Sequence, residues 1–338
     1  MTRLLFFLFF SFCLLSVEAQ EIYDKPRNGE GISTFLERNN RPGRAYYREF
    51  LELNKQRLRG KEELRLGVKY QLPPLRDGKQ SEGQAKDVKS RKIHEHLFGR
   101  KLDDVQVTGS RLKGACFYVV SGHGGPDPGA IGYMNGKELH EDEYAYDVAL
   151  RLARNLMQEG AQVYIIIQDK KDGIRDGQYL KNSKRETCMG DPIPLNQVER
   201  LKQRCVKIND LYSSDRNKYT YCRSIFLHVD SRSKRQQTDV FFYHAPGSPK
   251  GQRLASTMKR TFESKYNRHQ PNRGFEGTVS ERGLYVLQNS TPVAVFVELG
   301  NIQNAFDQRR FVISNNRQAL ANWMMEGFIA DYKKEKSK

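Results

Sequence analysis

Residues 121–130 read Ser121-Gly122-His123-Gly124-Gly125-Pro126-Asp127-Pro128-Gly129-Ala130, directly after the apolar run Cys116-Phe117-Tyr118-Val119-Val120. Five apolar, β-rich residues suit a buried strand and are too few for a helix. Glycines that accept positive φ and prolines that end both periodic structures then force a sharp turn. The pattern predicts a buried strand whose end presents the His123 imidazole on a rigid loop. That is where an α/β sheet places its chemistry.

Strands and helices alternate outward from this stretch. Strands are predicted over 115–120, 162–168, 224–229, 239–243, 284–287 and 293–298. Helices are predicted over 141–159, 196–212, 251–266 and 315–332. Short apolar strands separated by amphipathic helices imply an α/β fold, a mostly parallel twisted sheet with helices on both faces.

Three further residues stand at element ends. His228 lies near the end of Ser224-Ile225-Phe226-Leu227-His228-Val229-Asp230, and Glu298 closes the apolar run Val293-Ala294-Val295-Phe296-Val297. A carboxylate there is costly to bury without a partner or a metal. Glu141 opens a helix and shares a stripe with Ala145, Val148 and Leu152, so it points inward. The same period puts Glu143 with Asp147 and Arg154 on the wet face, and leaves Asp142 and Glu143 to complement the helix N-terminus. His140 is expected to face solvent. His123, Glu141 and His228 together form a His2Glu set, which leaves a fourth zinc position open, as a catalytic Zn2+ site requires. Glu298 is then the candidate general base.

From about Ala115 to Tyr332 the chain resembles the zinc-dependent N-acetylmuramoyl-L-alanine amidases (Amidase_3 type). Four motifs carry the likeness: Gly122 to Ala130; Glu141 with Ala149-Leu150-Arg151-Leu152; His228 on its strand; and Pro292 to Gly300, followed by Asn304. The resemblance implies His123, Glu141 and His228 as zinc ligands and Glu298 as catalytic carboxylate. The substrate would be peptidoglycan, cut between N-acetylmuramic acid and L-alanine. Asn301-Ile302-Gln303 and Val229-Asp230-Ser231-Arg232 depart from the family pattern around the substrate. The segment 169–194 is longer than the family's compact version. It is expected to be either a lid or regulatory flap over the cleft, or a surface elaboration.

Residues 1–19 read as a signal peptide: Arg3, an apolar run from Leu4 to Val17, and small residues before Gln20. No later stretch is apolar enough to cross a bilayer, so export to the periplasm or the exterior is expected. Residues 28–73 resemble a divergent LysM module through Gly29-Glu30-Gly31-Ile32, Phe50-Leu51-Glu52-Leu53-Asn54 and Leu66-Gly67 with Leu72-Pro73. The alternatives there are a glycan-binding module and a plain structural appendage. Residues 74–96 read as a charged linker, and 97–338 as the zinc amidase domain.

The net charge is +17, which points to a polyanionic partner. Export argues against nucleic acid, with an exported nucleic-acid-binding protein kept as a rival reading, and favours an anionic cell wall. No motif identifies an activator protein. Cys116 is expected in the core, and pairing among Cys188, Cys205 and Cys222 is open, since no Cys-x-x-Cys spacing occurs. Two other readings remain: a non-catalytic peptidoglycan-binding protein, and a zinc peptidase acting on peptide stems.

Overall fold

The computed structural model describes residues 21–26, 31–41, 43–60, 62, 64–75, 91–270 and 272–337. The signal peptide read over 1–19 and most of the linker lie outside these residues. The chain divides into two compact units near Ser81 and Glu82.

In the first unit, strand β1 (Ile22–Asp24) is followed by helices α1 (Ile32–Arg38), α2 (Arg44–Leu53) and α3 (Lys55–Leu58), then strand β2 (Tyr70–Leu72). β1 and β2 pair antiparallel, so the unit begins no later than Ile22. Phe35, Phe50 and Tyr70 form its centre, with ring centroids 5.7–6.3 Å apart. Asn54 is fully buried and satisfied in both directions: its Nδ2 donates to the Gln71 carbonyl and its Oδ1 accepts from the Gln71 amide, each at 2.8 Å. The Leu64–Pro73 stretch, which alternates in sequence, supplies only the short strand β2.

The second unit opens with the hairpin-like pair β3 (Lys92–His94) and β4 (Asp104–Gln106), then β5 (Ala115–Ser121). After the glycine-rich loop come β6 (Ile131–Met134), β7 (Lys137–His140), α4 (Glu141–Gln158), β8 (Gln162–Ile165) and β9 (Ile167–Gln168). Next are β10 (Thr187–Cys188), β11 (Asp191–Pro192), α5 (Gln197–Asp215), β12 (Tyr221–Asp230) and β13 (Phe241–His244). The chain closes with α6 (Pro249–His269), β14 (Val279–Glu281), α7 (Tyr285–Asn289), β15 (Val293–Asn301), α8 (Ala305–Val312) and α9 (Ser314–Lys336). No helix among the described residues is long and apolar enough to cross a membrane.

The central sheet has six strands in the order β14-β13-β15-β12-β5-β8. β8, β5, β12 and β15 run parallel, and β13 is antiparallel to β15. Strand alternation divides the core into two layers. Phe117 and Val119 of β5 face α4, α6 and α9, where the Phe117 ring meets Phe328 at 4.7 Å. Cys116, Tyr118 and Val120 face α5 and α7, packing with Cys205, Ile208, Val286 and Leu287. Burying each large apolar side chain contributes roughly 1.5–3 kcal/mol. Helix ends follow local chemistry: Asn196 caps α5, Ser248 caps α6 with Pro249 behind it, and Asn304 caps α8.

Several expectations need correction. Leu284–Leu287 was expected as a strand; Tyr285–Asn289 is a helix, because Val286 and Leu287 turn together onto the α5 layer. Glu143 and Asp147 do not face water. Both are buried, because the segment 169–194 folds along that face of α4. Asp147 accepts from Arg151 Nε at 2.8 Å, Arg317 Nε at 2.6 Å and the Arg175 amide at 2.7 Å. Glu143 pairs with Arg175 at 2.7 Å. His140 is buried rather than solvent-facing, bonded to Glu138 at 3.1 Å. All four cysteines after Cys13 are buried and free. Cys116 and Cys222 are direct neighbours across β5 and β12.

Candidate metal centre

The parallel register carries the site. Ser121 of β5 pairs with Leu227 of β12, and His228 pairs with Glu298 of β15, so three strand ends meet at one edge of the sheet. The chain leaves β5 through Gly122, whose amide donates to the Leu227 carbonyl at 2.7 Å. A Cβ on Gly122 would lie 2.4 Å from the His228 ring, so only glycine lets the imidazole sit there. His123 itself adopts φ +57°, a left-handed conformation that a non-glycine residue holds only when its surroundings compel it. The constraint is visible: Arg204 of α5 donates to the His123 carbonyl.

The loop then folds back and caps α4. The amides of Glu141 and Asp142 donate to the carbonyls of Ala130 and Pro128. This fixes Glu141 in the first helical turn with its carboxylate inward and 4% exposed. Its Oε2 accepts from the Ala130 amide at 2.9 Å and lies 3.3 Å from His123 Nε2. Its Oε1 accepts from the Val229 amide at 2.9 Å and lies 3.0 Å from His228 Nδ1. One donor atom from each of His123, Glu141 and His228 falls within 4.8 Å of the others. The structure therefore brings together all three residues singled out from sequence, although 105 positions separate His123 from His228.

Neighbours orient these side chains. His123 Nδ1 meets Asp127 Oδ2 at 2.8 Å, and Asp127 is held by Arg200 at 2.6 Å and by the Gly129 amide at 3.1 Å. The His228 ring stacks on Phe296 at 4.3 Å. Sequence reasoning quoted Asp127 within its motif and gave it no role; its place four residues after a loop histidine, between two prolines, was the available signal. Arg200, Arg204 and Phe296 carried no signal, because their roles depend on which strand and helix ends meet.

The electrostatics suit a cation. Burial disfavours a charge on His123, but Asp127 and Glu141 outweigh it and push its pKa up to about 10. Burial pulls His228 below its usual value despite Glu141. Burial would raise Glu141, but the two imidazoles hold it well below the carboxylate range. Glu298 is raised well above that range by burial and by repulsion from Glu141 and Asp230, and its Oε2 has no hydrogen-bond partner among the described residues. Beside the site, burial together with Glu143 and Glu186 pushes Asp142 up to about 8.

The segment 169–194 packs along α4 and against the histidine loop. Arg175 binds Glu143, and Ser183 Oγ binds Asp169 at 2.7 Å. Glu186 Oε2 accepts from the Gly125 amide of the histidine loop at 2.8 Å.

This α/β sheet with a His–Glu–His cluster at its edge has the make-up of a metal-dependent enzyme domain. Residues 118–330 match the N-acetylmuramoyl-L-alanine amidase family (Amidase_3), well over half of the chain, and the chain belongs to that family. It is similar to the germination-specific N-acetylmuramoyl-L-alanine amidase of Bacillus subtilis (strain 168), 28% identical over 197 residues that span 57% of this chain and 69% of that one. Among solved structures it is similar to the amidase Ami1 of Mycobacterium smegmatis, at 15% identity and a TM-score of 0.48, covering 67% of this chain and 99% of that one. It is also similar to AmiC2 of Nostoc punctiforme, at 19% identity and a TM-score of 0.45, covering 65% and 98%.

Proposed function

We propose that this chain is an exported, zinc-dependent N-acetylmuramoyl-L-alanine amidase that remodels or recycles peptidoglycan, with His123, Glu141 and His228 as metal ligands and Glu298 as the catalytic carboxylate. The observation that carries this reading is the convergence of those three donor atoms within 4.8 Å at the edge where Glu298 also stands. Two imidazoles and one carboxylate suit zinc, and Asp127 on His123 Nδ1 is the outer carboxylate that such ligands use to fix tautomer and direction. Glu298 Oε2 is buried and has no hydrogen-bond partner among the described residues, so the fold itself gives this carboxylate oxygen no task.

Zinc bound there supplies a Lewis acid that polarises the scissile carbonyl and makes water acidic enough to attack near neutral pH. The protein residues do the rest. Glu298 takes a proton from the attacking water and delivers it to the departing L-alanine nitrogen. The Gly122–Gly129 loop keeps His123 in place, and Phe296 holds the His228 ring. The stretch 28–73, together with the β1 strand that pairs with it, is read as a LysM-like module, followed by the linker 74–96 and the catalytic domain 97–338. Its place in the proposal is to hold the enzyme on glycan.

The test is digestion of purified peptidoglycan with and without a chelator, with products identified by mass spectrometry. Whole peptide stems freed from glycan, only without chelator, are expected. Cleavage within stems would instead identify a peptidase. Glu298→Gln should retain zinc and lose turnover by roughly 10²–10⁴-fold; near-normal turnover would remove Glu298 from the chemistry.

A further inference from the structure

Helices α6, α8 and α9 line a half-open hollow of about 320 Å³ that shares no lining residue with the metal cluster. Its volume lies within the range of small-ligand sites, which combine aromatic walls with a few polar groups. Trp323 is the partly exposed ring of the inner wall; Tyr266 lies behind it, 5.2 Å away, buried and stacked on Phe275 at 5.0 Å. Phe306 stands at the mouth, 40% exposed. The ring is not idle. Two guanidiniums flank it, Arg273 at 5.4 Å and Arg309 at 5.6 Å from its centroid.

The two arginines differ. Arg273 is committed to Asp239 at 2.6 Å. Arg309 has no carboxylate within ion-pair distance among the described residues and is exposed, with its backbone carbonyl accepting from Asn316 Nδ2 at 2.9 Å. Gln270 and Asn316 add amide groups to the rim. The partly exposed rings of Phe306 and Trp323, the Gln270 amide and one unmatched cation fit a sugar ring that carries a carboxylate. The apolar face of the ring covers the aromatics, its hydroxyl and acetamido groups meet the amides, and its acid meets the guanidinium.

The reaction proposed above makes such a sugar. Hydrolysis breaks the C–N bond, places the oxygen of water on the lactyl carbon and sends the proton to the amine. The muramic acid left on the strand then bears a free lactyl carboxylate, which an uncleaved residue lacks. We propose that this cavity binds N-acetylmuramic acid of glycan already stripped of its peptide, with its lactyl carboxylate on Arg309. This rests on the amidase reading, and it means that product, rather than substrate, is held beside the catalytic domain's helical flank.

The sequence contains a single tryptophan, Trp323, so tryptophan fluorescence reports on this cavity and on nothing else in the chain. The full-length protein is titrated with the N-acetylglucosamine–N-acetylmuramic acid disaccharide as free acid, and separately with the N-acetylglucosamine dimer, which lacks the lactyl group. Excitation at the red edge keeps tyrosine silent. A saturable change is expected, with the free acid binding roughly tenfold tighter or better. Arg309→Gln should remove that preference, and Phe306→Ala should weaken both sugars. No saturable change with either sugar overturns the proposal. So does equal affinity for the two, or a preference that Arg309→Gln leaves intact. Neither sugar contains a muramoyl–alanine amide, so the titration is independent of turnover: its failure leaves the amidase reading standing, and failed digestion of peptidoglycan leaves the titration interpretable.

Discussion

Asp147→Asn should unseat the segment 169–194. Asp147 is fully buried and so is Arg317, whose other acceptors are the neutral carbonyls of Phe311, Arg175 and Gly177. Arg151 keeps Asp176 as a second partner, at 3.1 Å, so the charge left stranded is chiefly that of Arg317. Stranding one member of a buried pair costs about 3–5 kcal/mol. A domain of this size loses about 2–4 °C of Tm per kcal/mol, so a fall of roughly 6–20 °C is expected by calorimetry or circular dichroism. Proteolysis within 177–190 should accelerate well below the main transition. Adding Arg317→Met should recover part of the loss, because it removes the orphaned cation. A melt within about 1 kcal/mol of wild type, or no recovery in the double variant, would refute the reasoning. Acid should mimic the substitution. Burial alone would raise Asp147, but Arg151 and Arg317 outweigh it and hold it below its ordinary value. The stability it contributes is therefore complete above the unfolded pKa, near about 3.9, and is lost as pH falls through the lower folded value.

Gly122→Ala should leave the sheet folded at a cost of about 1–3 kcal/mol, yet displace the His228 ring, which a Cβ would approach to 2.4 Å; zinc content after dialysis and turnover should both collapse. Asp127→Asn should weaken zinc roughly 10–100-fold in chelator competition, since it removes the negative charge beside His123 Nδ1. The four buried thiols should resist a thiol reagent in the native protein and all react in denaturant without reductant; fewer than four would mean that a disulfide forms.

The candidate site residues were legible because each stands at the end of a periodic element: His123 after β5, Glu141 at the start of α4, His228 and Glu298 late in β12 and β15. Strand period and helix face are local properties, and parallel pairing turned four local positions into one edge. Glu143 and Asp147 were misplaced for the opposite reason. A helical wheel knows the stripe that meets the sheet, but nothing about a segment twenty to fifty residues later that covers the other side. Leu284–Leu287 shows a related limit, since four apolar residues satisfy a strand and one buried helical turn equally well. The supporting guanidiniums of Arg200 and Arg204 sit on a helix whose sequence has no reason to announce contact with a loop some seventy to eighty residues earlier.

The bond from the Gly125 amide to Glu186 gives the excursion between α4 and α5 a second consequence. Whatever unlatches that arm, whether warmth, acid or a protease, also lets go of the turn that aims His123. Inactivation should therefore run ahead of unfolding, and a preparation can look intact by its spectrum while already silent toward the wall.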